Sequence, residues 1–414
     1  MSEIKSVFAP LAGFKGRTER LGLGEFVFLA GSLTALYAVS IDAVVPALGA
    51  IGDHLGVSPN QGQLLITALI VGMAVGQLFY GPISDNLGRK PALYLALSIF
   101  AIGSLICLFA ADFRIMVVGR VLQGLGSGGS RTITVALIRD QYLGAAMARI
   151  MSLMSAIFVV ISLLGMIAAQ AAINFSSWTT IFVGLLIFDL AACAWLATRQ
   201  PETHPKEKRT AFSIDPIVGA AQSVFSCKTA MGYTLALGLV LGGWIGYLNS
   251  ARQIFQEIYH VGTWFPLYFA VGGVAYATAA VLNARLVRTV ALKTLCYVAI
   301  LAIGLVSIAL SMYCAWVGTP PVQIFLLYVF VVFSCFGLTV SNLLSLSMEP
   351  LGQIAGVAAG VINSLSWLSG AAFGMVIGQY FDGSTLPVTV GFAVACAVAL
   401  LVLRVIPASS ESAV

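Results

Sequence analysis

Twelve times along this chain the residues stay almost wholly apolar for about twenty positions, the length of helix that crosses ~30 Å of hydrocarbon. The runs fall near 25–47, 62–83, 91–110, 115–137, 149–172, 177–198, 229–250, 264–284, 292–315, 321–345, 354–379 and 386–406. Soluble domains carry about 25% charged residues. Here 9% are charged and 59% are apolar. A chain so composed cannot cover its own surface in water, and it lacks the charge that keeps a chain disordered. Barrel strands alternate polar and apolar over about ten residues, so unbroken runs exclude a β-barrel. The expected class is an all-α membrane protein, with twelve transmembrane helices in two six-helix bundles.

The formal charge of +5 points to orientation, not to nucleic acid. Lys5, Lys15, Arg17 and Arg20 precede the first run. Arg89 and Lys90 follow the second, Arg139 and Arg149 the fourth. Arg199, Lys206, Lys208, Arg209 and Lys228 follow the sixth, Arg285, Arg288 and Lys293 the eighth, and Arg404 closes the twelfth. All lie on one side of the membrane if the count of spans holds, leaving Arg114 and Arg252 on the other. The positive-inside rule then places both termini in the cytoplasm. The expected organisation is a cytoplasmic segment 1–24, a bundle 25–198, a cytoplasmic linker 199–228, a second bundle 229–406 and a cytoplasmic tail 407–414. Two six-span halves joined this way are a common transporter plan, with substrate bound near the bilayer midplane. No short apolar segment with a small-residue cleavage site opens the chain, so no cleaved leader is expected. Seven cysteines are scattered without a CxxC pair and three histidines lie far apart, so no metal site is expected. No Walker-type phosphate loop occurs, and no cofactor is expected beyond a proton gradient.

Between the second and third runs stands Gly81-Pro82-Ile83-Ser84-Asp85-Asn86-Leu87-Gly88-Arg89-Lys90. It resembles the loop motif of the major facilitator superfamily, G-x-L-a-D-r-x-G-r-k, with Asn86 where a basic residue is frequent. The resemblance implies the twelve-helix facilitator fold and a conformational latch at Gly81, Asp85, Gly88 and Arg89. Glycine permits close approach and a tight turn. Asp85 suits a basic partner, and Arg89 a carboxylate or helix end.

The fourth run contains Arg120-Val121-Leu122-Gln123-Gly124-Leu125-Gly126-Ser127-Gly128-Gly129. It resembles the R-x-x-Q-G motif of proton-coupled members, which implies for Arg120 a role in proton coupling or in holding the charge of the binding site. An arginine inside a span is a functional-site hypothesis in its own right. Gly124-x-Gly126-x-x-Gly129 matches a dinucleotide fingerprint in letters, but no strand precedes it. Glycines that let helices pack closely account for it better. Arg120 and Arg131 are eleven residues apart, which returns to within about 20° on a helix. With Gln123 and Ser127 they form one polar stripe, expected to face a cavity or a carboxylate and to bind substrate.

In the first run, Asp42-Ala43-Val44-Val45-Pro46 is similar to the D-x-x-x-P motif of the Bcr/CflA drug-resistance transporters. Asp42 is expected to take up and release the coupling proton. Asp189 in the sixth run is a second intramembrane acid. Arg139-Asp140, Pro201-Glu202-Thr203, Phe255–Tyr259 and Asn283–Leu286 extend the likeness along the chain. In the second half, Trp244, Tyr247, Asn249, Asn342 and Trp367 are expected to complete a substrate cavity with flat apolar walls and few polar groups. One departure stands out. Drug antiporters of this superfamily carry a G-P-x-x-G-G type motif in span five, and this chain reads Leu164-Gly165-Met166-Ile167-Ala168-Ala169 without proline.

Not an enzyme is therefore expected, but a secondary transporter of the bacterial inner membrane. Its partners would be a small-molecule substrate, protons and the lipid bilayer, with no nucleic acid, and it would work as a monomer. The favoured reading is proton-coupled efflux of drug-like amphipathic molecules by alternating access. A proton-coupled carrier of a specific anionic metabolite or siderophore stays open, favoured by the missing proline and the Arg120–Arg131 stripe.

Overall fold

The computed structural model describes residues 21–406, apart from the side chains of Ala145, Ala148, Gln353 and Ala355. Lys5, Lys15, Arg17, Arg20 and the tail 407–414 lie outside the described residues. Twelve described helices have twenty residues or more. In chain order they are α1 Leu23–Asp42, α2 Leu64–Leu87, α3 Arg89–Leu108, α4 Phe113–Gln141, α5 Gly144–Phe175 and α6 Thr179–Arg199. Then come α7 Lys228–Arg252, α8 Phe265–Leu286, α9 Leu292–Val317, α10 Val322–Met348, α11 Ala355–Gln379 and α12 Leu386–Val405. The chain is an all-α, multi-pass membrane protein.

Eleven helical segments are long and apolar enough to cross a membrane by length and composition. The twelfth long helix, α4, has 29 residues but falls short in apolarity. The reason is its polar stripe and its glycines: Arg120, Gln123, Ser127, Arg131 and several Gly replace apolar side chains. The outward faces of the other helices are apolar. Leu164 of α5 is 59% exposed and Ile187 of α6 61%. A helix apolar on all sides belongs in a core or in lipid.

Local chemistry sets the ends. Asp112 caps α4, its carboxylate accepting from the amides of Arg114 (2.6 Å) and Ile115 (3.0 Å). Gly88 separates α2 from α3 with φ 101°, a region that favours glycine.

By contacts the chain forms two compact units. The first comprises residues up to Ile51 with Val71–Ile214. Within it α4 packs most extensively on α3, α1 on α5, and α6 on α3 and α1. Close approach depends on absent side chains. A Cβ on Gly72 would collide with the backbone of Val121, and one on Gly126 with the backbone of Ala96 and Phe100. The letters of the dinucleotide fingerprint therefore lie in the middle of a helix, as a packing surface.

The second unit comprises Gly52–Ile70 and the chain from Asp215 onward. Here α7 packs against α11, α12 and α10, while α8 meets α10 and α9 meets α12 and α10. A short helix, Asp215–Ser226, precedes α7 and buries Ile217, Ala220 and Val224. The linker was expected as a plain hydrophilic connection, and this helix is an addition to that picture.

Candidate functional site

In the first unit α4 carries Arg120 seven residues past its first residue Phe113, with no exposed surface. A buried guanidinium needs acceptors. Its Nη1 donates to Gln123 Oε1 at 2.8 Å and its Nη2 to the carbonyl of Ser40 at 2.8 Å. Gln123 in turn donates from Nε2 to Ser104 Oγ of α3 at 2.8 Å. Ser127, also fully buried, donates to the carbonyl of Gly124 in its own helix. The stripe was expected to face a cavity or a carboxylate. Over Arg120 and Gln123 it meets the backbone carbonyl of Ser40 on α1 and the hydroxyl of Ser104 on α3. Arg131 is only half-buried, its guanidinium stacked over the Tyr37 ring at 5.3 Å.

Ser40 lies two residues before Asp42, so Arg120 is tied to the helix end that carries this acid. Asp42 is half-buried and its carboxylate accepts a hydrogen bond from Ser162 Oγ of α5. From span five, whose sequence lacks the proline of the antiporter motif, the residue that reaches Asp42 is Ser162. Asp189 of α6 is 1% exposed, and neither carboxylate oxygen has a hydrogen-bond partner among the described residues.

The loop motif closes on itself and on two distant segments. Arg89 is 3% exposed. Its Nη1 reaches Asp85 at 2.5 Å and Ser84 at 2.8 Å, and its Nε reaches Asp140 at 2.7 Å. The Glu202 carboxylate accepts from the backbone amides of Arg89 and Lys90, each at 3.0 Å. Asn86, where the resembled motif often has a basic residue, donates to the carbonyl of Thr210 at 2.9 Å. Asp140 and Glu202 were noted in the sequence only as parts of other motifs; the fold makes them partners of Arg89. Gly81 needs correction. It was expected to permit close helix approach, yet a Cβ there would meet nothing within 4 Å. Gly88 does need to be glycine, by its φ and by the Arg209 and Glu202 side chains that a Cβ would strike.

In the second unit Trp244, Tyr247 and Trp367 join one aromatic cluster. Trp244 stacks on Phe336 at 6.1 Å and meets Trp367 edge-on at 6.0 Å. Tyr247 meets Phe333 edge-on at 5.0 Å, and Phe333 lies 6.2 Å from Phe336. The Tyr247 hydroxyl is buried without a partner among the described residues. Phe333 and Phe336 were missed; their i, i+3 spacing on one helix face was the available signal. Asn342 stands apart from this cluster, in a reciprocal amide pair with Asn283 at 3.1 and 2.9 Å. Asn249 donates to Gly374 O at 3.3 Å and Thr67 Oγ1 at 3.4 Å.

Comparison with known proteins agrees with this architecture. The family model described as Major Facilitator Superfamily matches residues 30–375. The transporter YdgK of Bacillus subtilis, described as uncharacterised and of the MFS type, is 29% identical over 363 residues, 87% of this chain and 89% of that one. A bicyclomycin resistance protein homolog of Haemophilus influenzae is 28% identical over 355 residues, 85% and 88% of the two chains. The multidrug resistance protein MdtL of Klebsiella pneumoniae is 25% identical over 396 residues, 92% and 95%. Among solved structures, a D-xylose–proton symporter superposes with TM-score 0.75 at 16% identity, covering 93% of this chain and 97% of that one. At that identity the likeness concerns the fold.

Proposed function

The chain belongs to the major facilitator superfamily, and from that premise we propose that it exports drug-like amphipathic molecules in exchange for protons. One arrangement supports the coupling: fully buried Arg120 holds the helix end on which the half-buried acid Asp42 lies. Asp42 takes the proton and Ser162 orients its carboxylate. Arg120 supplies a fixed positive charge and keeps that helix end in register. The latch around Arg89 stabilises one conformation of the first bundle and gives way in the other. Exposure of the binding site then alternates between the two sides. One elementary charge moved across the membrane yields about 2.3 kcal/mol per 100 mV, so a single coupled proton supports a steep gradient without ATP. Aromatic walls at Trp244, Trp367, Phe336 and Tyr247 suit amphipathic substrates of varied shape. Two relatives whose names record drug resistance favour the same substrate class. The location is the bacterial inner membrane with both termini cytoplasmic, and the working unit is a monomer.

Arg131 favours a second reading. It is a half-buried cation with no ion pair among the described residues, beside the Tyr37 ring. A proton-coupled carrier of one anionic metabolite or siderophore would use such a charge. Everted vesicles with an acid interior separate the two. Alkalinisation on adding several unrelated cationic drugs is the expected result. No response to any of them, together with uptake of one labelled anion by whole cells, would replace drug export with dedicated anion carriage.

A further inference from the structure

Helix α6 holds a carboxyl that the scheme above does not use. Asp189 is the middle residue of the 21-residue helix Thr179–Arg199. At ~1.5 Å per residue this puts it about 15 Å from either end of the helix, near the bilayer centre. It is 1% exposed, and both oxygens lack a hydrogen-bond partner among the described residues. The rest of its buried face is Ile181, Phe182, Leu185, Ala192 and Leu196.

The groups around it offer no countercharge. Cys193, one turn on, is within electrostatic reach. On α3, Arg89 and Lys90 sit at the first turn and are held by Asp85, Asp140, Glu202 and the carbonyl of Ala197. Tyr94 and Cys107 are the other ionisable groups of α3. On α1, Glu25 pairs with Arg199 and Trp195, Asp42 accepts from Ser162, and Tyr37 stacks under Arg131. Helix α5 contributes only Arg149, in its second turn. A carboxylate charge left alone at this depth is strongly unfavourable, whereas the neutral acid is tolerated. A hard metal cation takes about six or more oxygen ligands, and this face of α6 supplies no other side-chain oxygen. A proton needs no such shell.

Packing is also incomplete close by. Leu185, one turn before Asp189 on the same face, lines a cavity of about 430 Å³ together with Val39, Ala43, Gly165 and Ala168. The chain neighbours of both acids line this cavity, Ala43 directly after Asp42 and Phe188 directly before Asp189.

We propose that Asp189 is a second proton-binding carboxyl of the transport cycle. It carries its proton in the conformation described here. It loses it to water in a conformation that wets the buried face of α6, and regains one from hydronium. This rests on the proton-coupled reading above and adds a site to it.

The test uses the full-length protein in liposomes and a hydrophobic carbodiimide, which modifies protonated carboxyls in apolar surroundings. Peptide mass spectrometry locates the adduct. Modification of Asp189 is expected in the wild type and in Asp42→Asn, falling about tenfold per pH unit above its midpoint. In parallel, Asp189→Asn is expected to flatten the pH profile of transport, and Asp189→Glu to restore it. An unmodified Asp189 at every pH, or an Asn variant that keeps the wild-type pH profile at full rate, overturns the proposal. If the Asn variant fails to fold, the wild-type adduct still answers. A pH-dependent adduct in a protein that moves no proton with any substrate upholds the proton site and removes the coupling reading instead.

Discussion

Arg120 and Asp42 invite opposite substitutions, because one is an anchor and the other, in the proposed cycle, exchanges a proton. Removing the Arg120 side chain would take the guanidinium from the Ser40 carbonyl and leave Gln123 Oε1 with only the weak Cys107 thiol donor in a dry environment. Arg120→Ala is expected to cost about 2–4 kcal/mol of stability, seen as a lowered melting temperature in detergent. Arg120→Lys keeps the charge but cannot reach two acceptors as a fork. It is expected to fold and to transport about tenfold more slowly, a loss of roughly 1.4 kcal/mol in the transition state. Asp42→Asn retains an oxygen for Ser162 to donate to. It is expected to insert normally, bind substrate and lose proton-driven transport in vesicles; transport at the full rate would make Asp42 structural. Single residues of this kind were readable in the sequence because a charge inside an apolar run is conspicuous. Their partners were not. Ser162, Ser104 and the carbonyl of Ser40 are common groups that gain meaning only by proximity.

Helices and their joints carry a different set of expectations. The loop motif contains two glycines that look equivalent in the sequence. In the fold they are not, since Gly88 has φ 101° and crowded surroundings while Gly81 is helical with open space around its Cα. Gly88→Ala is expected to destabilise by about 1–2 kcal/mol. Gly81→Ala is expected to be neutral or to stabilise by about 0.5–1 kcal/mol through helix propensity. Thermal unfolding of the two variants side by side checks the contrast, and equal losses would refute it. Span positions were legible because apolar length is a one-dimensional property matched to the bilayer. The helix Asp215–Ser226 was not, as twelve residues are too few to cross hydrocarbon and lie within a polar stretch.

For the whole molecule, the proposed latch is where local chemistry would meet conformational change. Arg89 joins the α2–α3 turn to the end of α4 through Asp140, and Glu202 joins the same turn to the segment after α6. Asp140→Asn leaves the Arg89 guanidinium with Asp85 alone as its carboxylate partner. The expected cost is about 1–3 kcal/mol, shifting the population toward the conformation in which the latch is open. Thiol labelling of a cysteine placed in the latch should then accelerate about tenfold; an unchanged rate would mean that the ion pair does not bias the equilibrium. Orientation has its own check. In a variant lacking the seven native cysteines, an impermeant maleimide should label Cys at Lys208 only in everted vesicles and Cys at Arg114 only in right-side-out ones.

Reading the chain as a string was enough for the count and placement of the helices, the loop motif and the polar stripe of α4, since each is a local pattern of length, spacing or charge. Convergence required the fold. Arg89 and Asp140 are 51 residues apart, Arg89 and Glu202 113, and Asp42 and Ser162 120. No pattern in the chain joins them, because most of these helices are apolar on every side. A helix with a polar face announces which side meets its neighbours; one surrounded by lipid does not. Its rotation is set by small residues and a few hydrogen bonds that exist only once the helices are assembled. The same reason hid the isolation of Asp189. A lone aspartate in an apolar run reads alike whether a partner awaits it or not.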